Sequence, residues 1–148
     1  MRIKREVDPK FEMSAVMKKL EAEDKAFIFE NIKNAEMPAV GGLFTSMSRI
    51  GLIFNEDSIE DFTLDDAGQK VIAAIQNPTP TIEVDTGPVK DVVLTGTQID
   101  LNKLPVPTFF ELDTGPFITA AVGIFRKPEG HLNVGFYRVL IVDQKHVL

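Results

Sequence analysis

The chain has 148 residues, enough for one domain with a substantial core or for a small domain and part of another. Its 22 acidic and 16 basic residues give a formal charge of −6, which would repel a phosphate backbone and excludes nucleic acid as the expected partner. It has no cysteine, so disulfides and thiolate metal sites are excluded, and no apolar stretch near the roughly 20 residues that span a bilayer. We therefore expect a cytoplasmic protein without a membrane span.

The first part of the sequence predicts short strands and a helix that share one core. Strand candidates lie at residues 2–7, 26–29 and 37–40, where apolar side chains alternate or cluster ahead of turn residues. Asp8 and Pro9 are typical of an N-cap and the first position of a helix. The apolar face of this helix recurs at helical spacing: Met13, Val16, Met17 and Leu20.

Two further helices are predicted before residue 77. Residues 44–54 suit a short helix whose serines and arginine point away from the core. Thr63 and Asp66 form a capping-box pattern, with Asp in place of the usual Glu, ahead of apolar residues at helical spacing. Residues 77–81, Asn-Pro-Thr-Pro-Thr, then predict a joint between this helical part and the second half of the chain.

After that joint the composition favours strands and turns. Strand candidates lie at residues 81–84, 89–94, 117–125 and 134–142. The connection at residues 126–130 is short enough for a hairpin, so the last two candidates are predicted to pair antiparallel. The predicted fold class is therefore α+β, and a parallel doubly wound sheet is disfavoured.

The tetrapeptide Asp-Thr-Gly-Pro occurs twice, at residues 85–88 and 113–116. Asp-Thr-Gly is also found in aspartic proteases, where two carboxylates share a proton. Two loops this close in sequence do not suit two protease lobes, and the following proline removes a backbone N–H at the turn. Turn chemistry accounts for both copies. The two histidines, His131 and His146, are expected on the surface.

The richest candidate site is Asn-Val-Gly-Phe-Tyr-Arg at residues 133–138. The amide oxygen of Asn133 suits Mg²⁺ or Mn²⁺, and the planar guanidinium of Arg138 suits a phosphate or a carboxylate. The two positions have opposite parity on a strand, so they share a site only if Asn133 lies in the preceding turn or Gly135 marks a bulge. The residues alone leave two interpretations open: a turn followed by a solvated arginine, or a site that holds a phosphorylated cofactor through a metal.

Several stretches, in order, resemble the amino-terminal part of the UbiD family of carboxy-lyases, which use prenylated flavin mononucleotide (prenylated FMN). They are REVDP, AFIFENIKNAEMPAV, the segment around SMSRIGL, QIDLNKLPVPTFFELDTGPFIT and NVGFYR, and they extend over essentially the whole chain. The resemblance implies an α+β fold in which a small helix-containing first domain, residues 1–97, leads into the first strands of a flavin-reductase-like split β-barrel, residues 98–148.

The resemblance also implies roles for particular residues. Asn133 would be a ligand of a Mn²⁺ that bridges to the flavin phosphate, and Phe136, Tyr137 and Arg138 would line the prenylated FMN. Arg138 would also reach the substrate, which makes it the candidate catalytic residue. Thr119 matches a family position beside the flavin on the partner strand. The implied cofactors are prenylated FMN and Mn²⁺, with K⁺ as an optional further ion.

The implied activity is reversible decarboxylation of a small aromatic or α,β-unsaturated carboxylic acid. Family members continue for hundreds of residues, and the remaining metal ligands and the acid or base come after the part that this chain resembles. We therefore expect an amino-terminal fragment or subunit that is inactive alone, joins the remaining portion of the decarboxylase and forms a homo-oligomer. Two alternatives stay open: a non-catalytic interaction protein that pairs through an exposed strand edge, and a stand-alone flavin- or anion-binding module.

Overall fold

The structure, a computed structural model, describes residues 1–55 and 59–148. In that part of the chain, two small sheets and three helices give the α+β class that the sequence predicts. One sheet has the order β1-β2-β3, with β1 parallel and β3 antiparallel to β2, and the other is the antiparallel pair β4-β5. The strands are β1 Arg2–Ile3, β2 Phe27–Phe29, β3 Ala39–Gly41, β4 Phe117–Arg126 and β5 Leu132–Leu140. The helices are α1 Glu12–Ala22, α2 Met47–Ile53 and α3 Leu64–Gln76. Within the described residues, no helix is both long and apolar enough to cross a membrane.

The main core forms where the three-stranded sheet meets one face of α1. Phe27 and Phe29 point to the same side of β2 and meet edge to face, with ring centroids 5.4 Å apart. Met13 and Leu20 of α1 are buried in the same cluster, and the other two residues of the predicted apolar face pack against it. The helical periodicity of the sequence is therefore confirmed as the reason that α1 docks on this sheet.

Helix α1 begins later than the sequence predicts, so Asp8 and Pro9 are not its N-cap and first residue. The N-cap is Phe11, which has a positive φ of 68° and no side-chain cap. Backbone pairing with Thr108 holds this segment outside the helix, since the Phe11 N–H donates to the Thr108 carbonyl (3.1 Å) and the Thr108 N–H to the Pro9 carbonyl (3.2 Å). A tertiary contact that the local sequence does not reveal therefore moves the helix start.

Helix α2 is shorter than the predicted range of residues 44–54. Its Gly51 is buried, and a methyl group there would lie 3.2 Å from Phe62, so the glycine permits close packing. Arg49 was expected to point into solvent, but its side chain is only 21% exposed. Its guanidinium donates to the Asp24 carboxylate (2.6 Å) and to the Asp24 carbonyl (3.0 Å), which ties α2 to the residues that follow α1.

Helix α3 begins with the capping box that the sequence predicts. The Asp66 N–H donates to the Thr63 hydroxyl (3.2 Å), and the Thr63 N–H donates to the Asp66 carboxylate (2.8 Å). None of its residues is buried, and its apolar side chains are exposed: Leu64, Val71, Ile72 and Ile75. The local signal for the helix is thus confirmed, although α3 only touches α2 and its apolar side chains stay exposed.

The predicted strands at residues 81–84 and 89–94 do not form. Residues 81–84 have no regular structure, and the following region contains short 3₁₀ turns at Pro88–Lys90, Gly96–Gln98 and Leu101–Lys103. Strand propensity needs a partner strand and a surface to cover, and the valines of this region are instead exposed. The β-rich composition alone was misleading here.

The predicted hairpin is confirmed: the segment before β4 is hydrogen-bonded to α1, and the two ends of the hairpin are hydrogen-bonded to each other. Ser14 of α1 donates its hydroxyl to the Phe109 carbonyl (3.1 Å), and the Ile141 N–H donates to the Pro116 carbonyl (3.0 Å). Leu140 and Leu148 exchange backbone hydrogen bonds of 2.8 and 2.9 Å, and Ile141 pairs with Val147, so the last two residues pair with the chain at the end of β5. The described part of this sheet is a hairpin with a short third segment, and not a closed barrel.

Candidate functional site

The register of the β4-β5 hairpin decides how the candidate site residues are arranged. Phe117 and Ile118 pair with Leu140 and Val139, whereas Ala121 pairs with Tyr137, so β4 has one residue more than β5 in between. Thr119 and Ala120 therefore lie opposite Arg138 in a β-bulge. The hairpin thus brings Thr119 to the level of Arg138, as expected; the role of Thr119 at a flavin stays a prediction.

Asn133 and Arg138 lie on opposite faces of the hairpin. Asn133 belongs to β5 and pairs with Phe125, and Gly135 pairs in register with Gly123, so neither of the two arrangements that would unite Asn133 with Arg138 occurs. The bulge is on β4 and does not change the alternation along β5. Asn133 and Tyr137 therefore share one face, and Phe136 and Arg138 share the other.

On the Asn133 face, the ring of Tyr137 lies across two facing glycines. A methyl group at Gly123 would lie 2.7 Å from Cε2 of Tyr137, and one at Gly135 would lie 3.2 Å from the hydroxyl oxygen. The ring also meets Phe125 edge to face, with centroids 5.8 Å apart. The glycine of the hexapeptide is thus explained by the packing of its own tyrosine, and not by a bulge.

On the other face, Arg138 lies between an aromatic ring and a carboxylate. Its guanidinium carbon is 4.4 Å from the centroid of the Phe117 ring, and Nη2 is 3.6 Å from Oδ1 of Asp113. The Arg138 side chain is 55% exposed and makes no hydrogen bond within the described residues. Its donors are therefore free to bind a carboxylate or a phosphate.

Asp113 itself is held by the turn that leads into β4. Its side chain is only 15% exposed, its Oδ2 accepts from the Phe110 N–H (3.1 Å), and its own N–H donates to the Phe110 carbonyl (3.1 Å). The hydrogen-bonded turn spans residues 110–113, so this Asp-Thr-Gly-Pro copy begins at the end of that turn, and Thr114 and Gly115 form a bend. The sequence-based reasoning missed the contact of Asp113 and Phe117 with Arg138, which only the register of the hairpin could have indicated.

The Arg138 face of the hairpin is apolar and exposed toward its far end. Phe136 is 83% exposed, and its neighbours Val122, Ile124 and Val134 are exposed as well. An exposed apolar patch beside a cation with free donors suits a ligand that combines a planar apolar part with an anionic group.

A complete metal site is not formed by the described residues. Asn133 is exposed, its side chain has no hydrogen-bond partner there, and no cluster of three or more His, Cys, Asp or Glu occurs in that part of the chain. Both histidines are exposed, as predicted, and Nδ1 of His146 lies 2.9 Å from the Asp143 carboxylate. The pKa of Asp143 is lowered, first by the Lys145 N–H that it accepts and then by His146.

Comparison with protein families identifies the class to which this architecture belongs. The 3-octaprenyl-4-hydroxybenzoate carboxy-lyase N-terminal domain matches residues 1–64, and the Rift-related domain of the same carboxy-lyase matches residues 81–148. Both are domains of UbiD proteins, and together they leave only the residues between them unmatched. The chain belongs to the UbiD family.

Solved structures agree over the whole chain. The UbiD-class enzyme HmfF from Pelotomaculum thermopropionicum, in complex with FMN, is 33% identical with a TM-score of 0.84, over 99% of this chain and 32% of HmfF. The open form of vanillic acid decarboxylase from Sedimentibacter hydroxybenzoicus is 26% identical with a TM-score of 0.82, over 99% of this chain and 32% of the enzyme.

A protein of uncharacterised function is similar in sequence to the whole length of this chain. This Rhodospirillum rubrum protein, from the cooM 5′ region, is 28% identical over 100% of this chain and 31% of its own length. The chain therefore spans about a third of the length of the relatives that it matches.

Proposed function

We propose that this chain is part of a reversible carboxy-lyase that acts on a small aromatic or α,β-unsaturated carboxylic acid with prenylated FMN and Mn²⁺, K⁺ being optional. The observation that carries the proposal is the exposed face of the hairpin, where the unshared donors of Arg138 adjoin an apolar aromatic surface, in a chain that belongs to the UbiD family. In support, HmfF binds FMN and an evolved dimeric form of it binds prenylated FMN.

The Arg138 face fits a flavin and an acid substrate by its chemistry. Phe136 offers a planar apolar surface, and the guanidinium of Arg138 offers paired N–H donors to a carboxylate. When bound, the prenylated flavin supplies the electron sink for loss of CO₂. Arg138 orients the substrate carboxylate, and Thr119, in the bulge opposite Arg138, supplies a hydroxyl at the same level.

The metal fits less well, because Asn133 supplies one neutral oxygen and no group of three or more His, Cys, Asp or Glu occurs in the described part of the chain. Ions such as Mg²⁺ and Mn²⁺ typically bind six oxygen ligands. Because Asn133 supplies only one, no step of the reaction is assigned to the metal. Asn133 also lies on the face opposite Arg138, five residues or about 17 Å away along the strand. An extended ligand could contact both Asn133 and Arg138 only if it lay along the outer edge of β5. Tyr137 would then contact this ligand from the same face as Asn133.

The remaining parts of the site are proposed to come from other sequence. These are the other metal ligands, the acid that delivers the proton and the further strands of a split β-barrel, supplied by the remaining portion of the enzyme or by another subunit of a cytoplasmic homo-oligomer. The comparisons support this, because the chain spans only about a third of the length of its relatives. We also propose a domain division between residues 97 and 98.

A chimera tests this proposal directly. This chain would replace the matched amino-terminal third of HmfF, and the chimera would be supplied with prenylated FMN, Mn²⁺ and a panel of aromatic and unsaturated acids. We expect acid-dependent release of CO₂ from the chimera, its loss in Arg138→Ala and Asn133→Ala, and none from the 148-residue chain alone. A folded, flavin-loaded chimera that is inactive on every acid would contradict the proposal that this chain is part of a carboxy-lyase. Activity of the chain alone would contradict its dependence on other sequence.

A non-catalytic interaction protein is the second candidate, favoured by the exposed apolar residues of α3 and of the hairpin. It predicts a stable, colourless oligomer of the purified chain that takes up no flavin. Uptake of flavin without metal would instead favour a stand-alone flavin- or anion-binding module. Flavin titration with and without Mn²⁺, followed by absorbance and by molar mass in solution, distinguishes these outcomes.

A further inference from the structure

We propose that Asp113 is a positioning residue for Arg138, an inference that rests on the proposed function. Asp113 begins the second Asp-Thr-Gly-Pro tetrapeptide, which the proposed reaction does not otherwise use. Its Oδ1 lies 3.6 Å from Nη2 of Arg138, and Phe117 lies under the guanidinium at 4.4 Å. The guanidinium is thus located by one carboxylate and one ring, while its remaining donors are open to a ligand.

Asp113 can position another side chain because it is itself fixed. Its carboxylate accepts the Phe110 N–H, its backbone N–H donates to the Phe110 carbonyl, and most of its surface is covered. Arg138, in contrast, is half exposed and has a long flexible stem that would otherwise sample several rotamers. The fixed partner reduces the number of orientations that the guanidinium adopts before a ligand binds.

The other copy of the tetrapeptide provides an internal comparison. Asp85 begins the same Asp-Thr-Gly-Pro sequence, but its carboxylate has no ion-pair or hydrogen-bond partner in the described part of the chain. Asp113 differs from Asp85 in its contact with Arg138 and in the hydrogen bond that it accepts from the Phe110 N–H, and Asp113→Asn keeps an oxygen for the second of these. Asp85→Asn is accordingly a matched control for Asp113→Asn.

The ion pair should affect binding and turnover in opposite directions. The negative charge of Asp113 competes with a substrate carboxylate for Arg138, so its removal should not weaken substrate binding and should strengthen it slightly. The loss of orientation should lower turnover, because small misplacements of a positioning group reduce the rate steeply. A residue that only stabilised the fold would not separate kcat from KM in this way.

The first arm of the test measures the order of Arg138 in the 148-residue chain by ¹⁵N relaxation of its side-chain Nε–H, assigned with Arg138→Lys. We expect a lower order parameter in Asp113→Asn, recovery in Asp113→Glu and no change in Asp85→Asn. The Asn variant keeps an oxygen to accept the Phe110 N–H, so the turn is retained. In the wild type, added salt should lower the same order parameter. An unchanged Arg138 signal in both Asp113→Asn and high salt would overturn the proposal.

The second arm measures kinetics in the active HmfF chimera. Asp113→Asn should lower kcat about tenfold with KM unchanged or lower, while Asp85→Asn should leave both unchanged. A rise in KM at constant kcat would overturn the proposal. An inactive wild-type chimera would contradict the proposed function alone, because the relaxation arm tests the Asp113–Arg138 relationship independently of activity.

Discussion

The guanidinium of Arg138 lies over the ring of Phe117, 4.4 Å from its centroid, so β5 and β4 meet through a cation–π contact beside the β-bulge. Phe117 pairs with Leu140, two residues from Arg138 on the same face of β5, which puts its ring beneath the guanidinium. One side of the Arg138 guanidinium therefore packs on the Phe117 ring of the hairpin, and the other side is exposed to solvent.

Arg138→Ala should reduce ligand binding much more than it reduces stability. Its ion pair is loose and its side chain is half exposed, so the free energy of unfolding should fall by no more than about 1 kcal/mol. Urea unfolding measures this change, and the activity of the chimera measures the function. A large drop in melting temperature would show instead that Arg138 is a structural residue.

Phe117→Leu should remove the cation–π contact while it keeps an apolar side chain. A double-mutant cycle with Arg138→Ala should give a coupling free energy of about 0.5–1 kcal/mol between the two positions. The cycle is measured by urea unfolding of the wild type, the two single mutants and the double mutant. Strictly additive effects would mean that the ring lies under Arg138 without stabilising it.

Phe29→Ala should severely destabilise the first half of the chain. Phe29 is fully buried and packs against Phe27, so its truncation should lower the free energy of unfolding by about 3–5 kcal/mol. Phe44→Ala is the matched control, because Phe44 is 73% exposed and its loss should change stability by less than about 0.5 kcal/mol. Comparable effects of the two substitutions would place the core elsewhere.

Thr63→Ala should weaken the start of α3 and reduce its response to acid. The loss of the cap should lower stability by about 1 kcal/mol at neutral pH. Hydrogen bonds from the Thr63 hydroxyl and then its N–H lower the pKa of Asp66 below its ordinary 3.8. Because its folded-state pKa is lowered, ionised Asp66 stabilises the fold at pH values above the ordinary pKa. This stabilisation is lost as the pH falls through the folded-state pKa. The free energy of unfolding, measured from neutral pH to about pH 3, should therefore fall less with acid in Thr63→Ala than in the wild type.

Gly123→Ala should displace the Tyr137 ring. The added methyl group would lie 2.7 Å from Cε2 of Tyr137, well inside van der Waals contact. Tyr137 is the single tyrosine and the chain has no tryptophan, so the tyrosine band in near-ultraviolet circular dichroism reports on this ring. The band should change in Gly123→Ala and not in Gly87→Ala, where no described atom lies within 4 Å of the added methyl. An unaltered band in both variants would contradict the close packing.

Sequence patterns were reliable where the structure depends on neighbours in the chain. The apolar face of α1, the capping box of Thr63 and Asp66, and the β4-β5 hairpin all follow from residues a few positions apart. The UbiD resemblance found in the sequence is likewise confirmed by the family and structural comparisons.

Sequence patterns failed where a distant partner decides the outcome. Thr108 moves the start of α1, and the absence of partner strands within the described residues leaves residues 81–94 without a strand. The sequence by itself determined that Asn133 and Arg138 are five residues apart on a strand. Only the tertiary structure decided that the bulge is on β4, so that the two stay on opposite faces and Arg138 meets Phe117 and Asp113. The reason is physical: register and bulge position depend on which side chains two strands bury together, and that is a property of the pair.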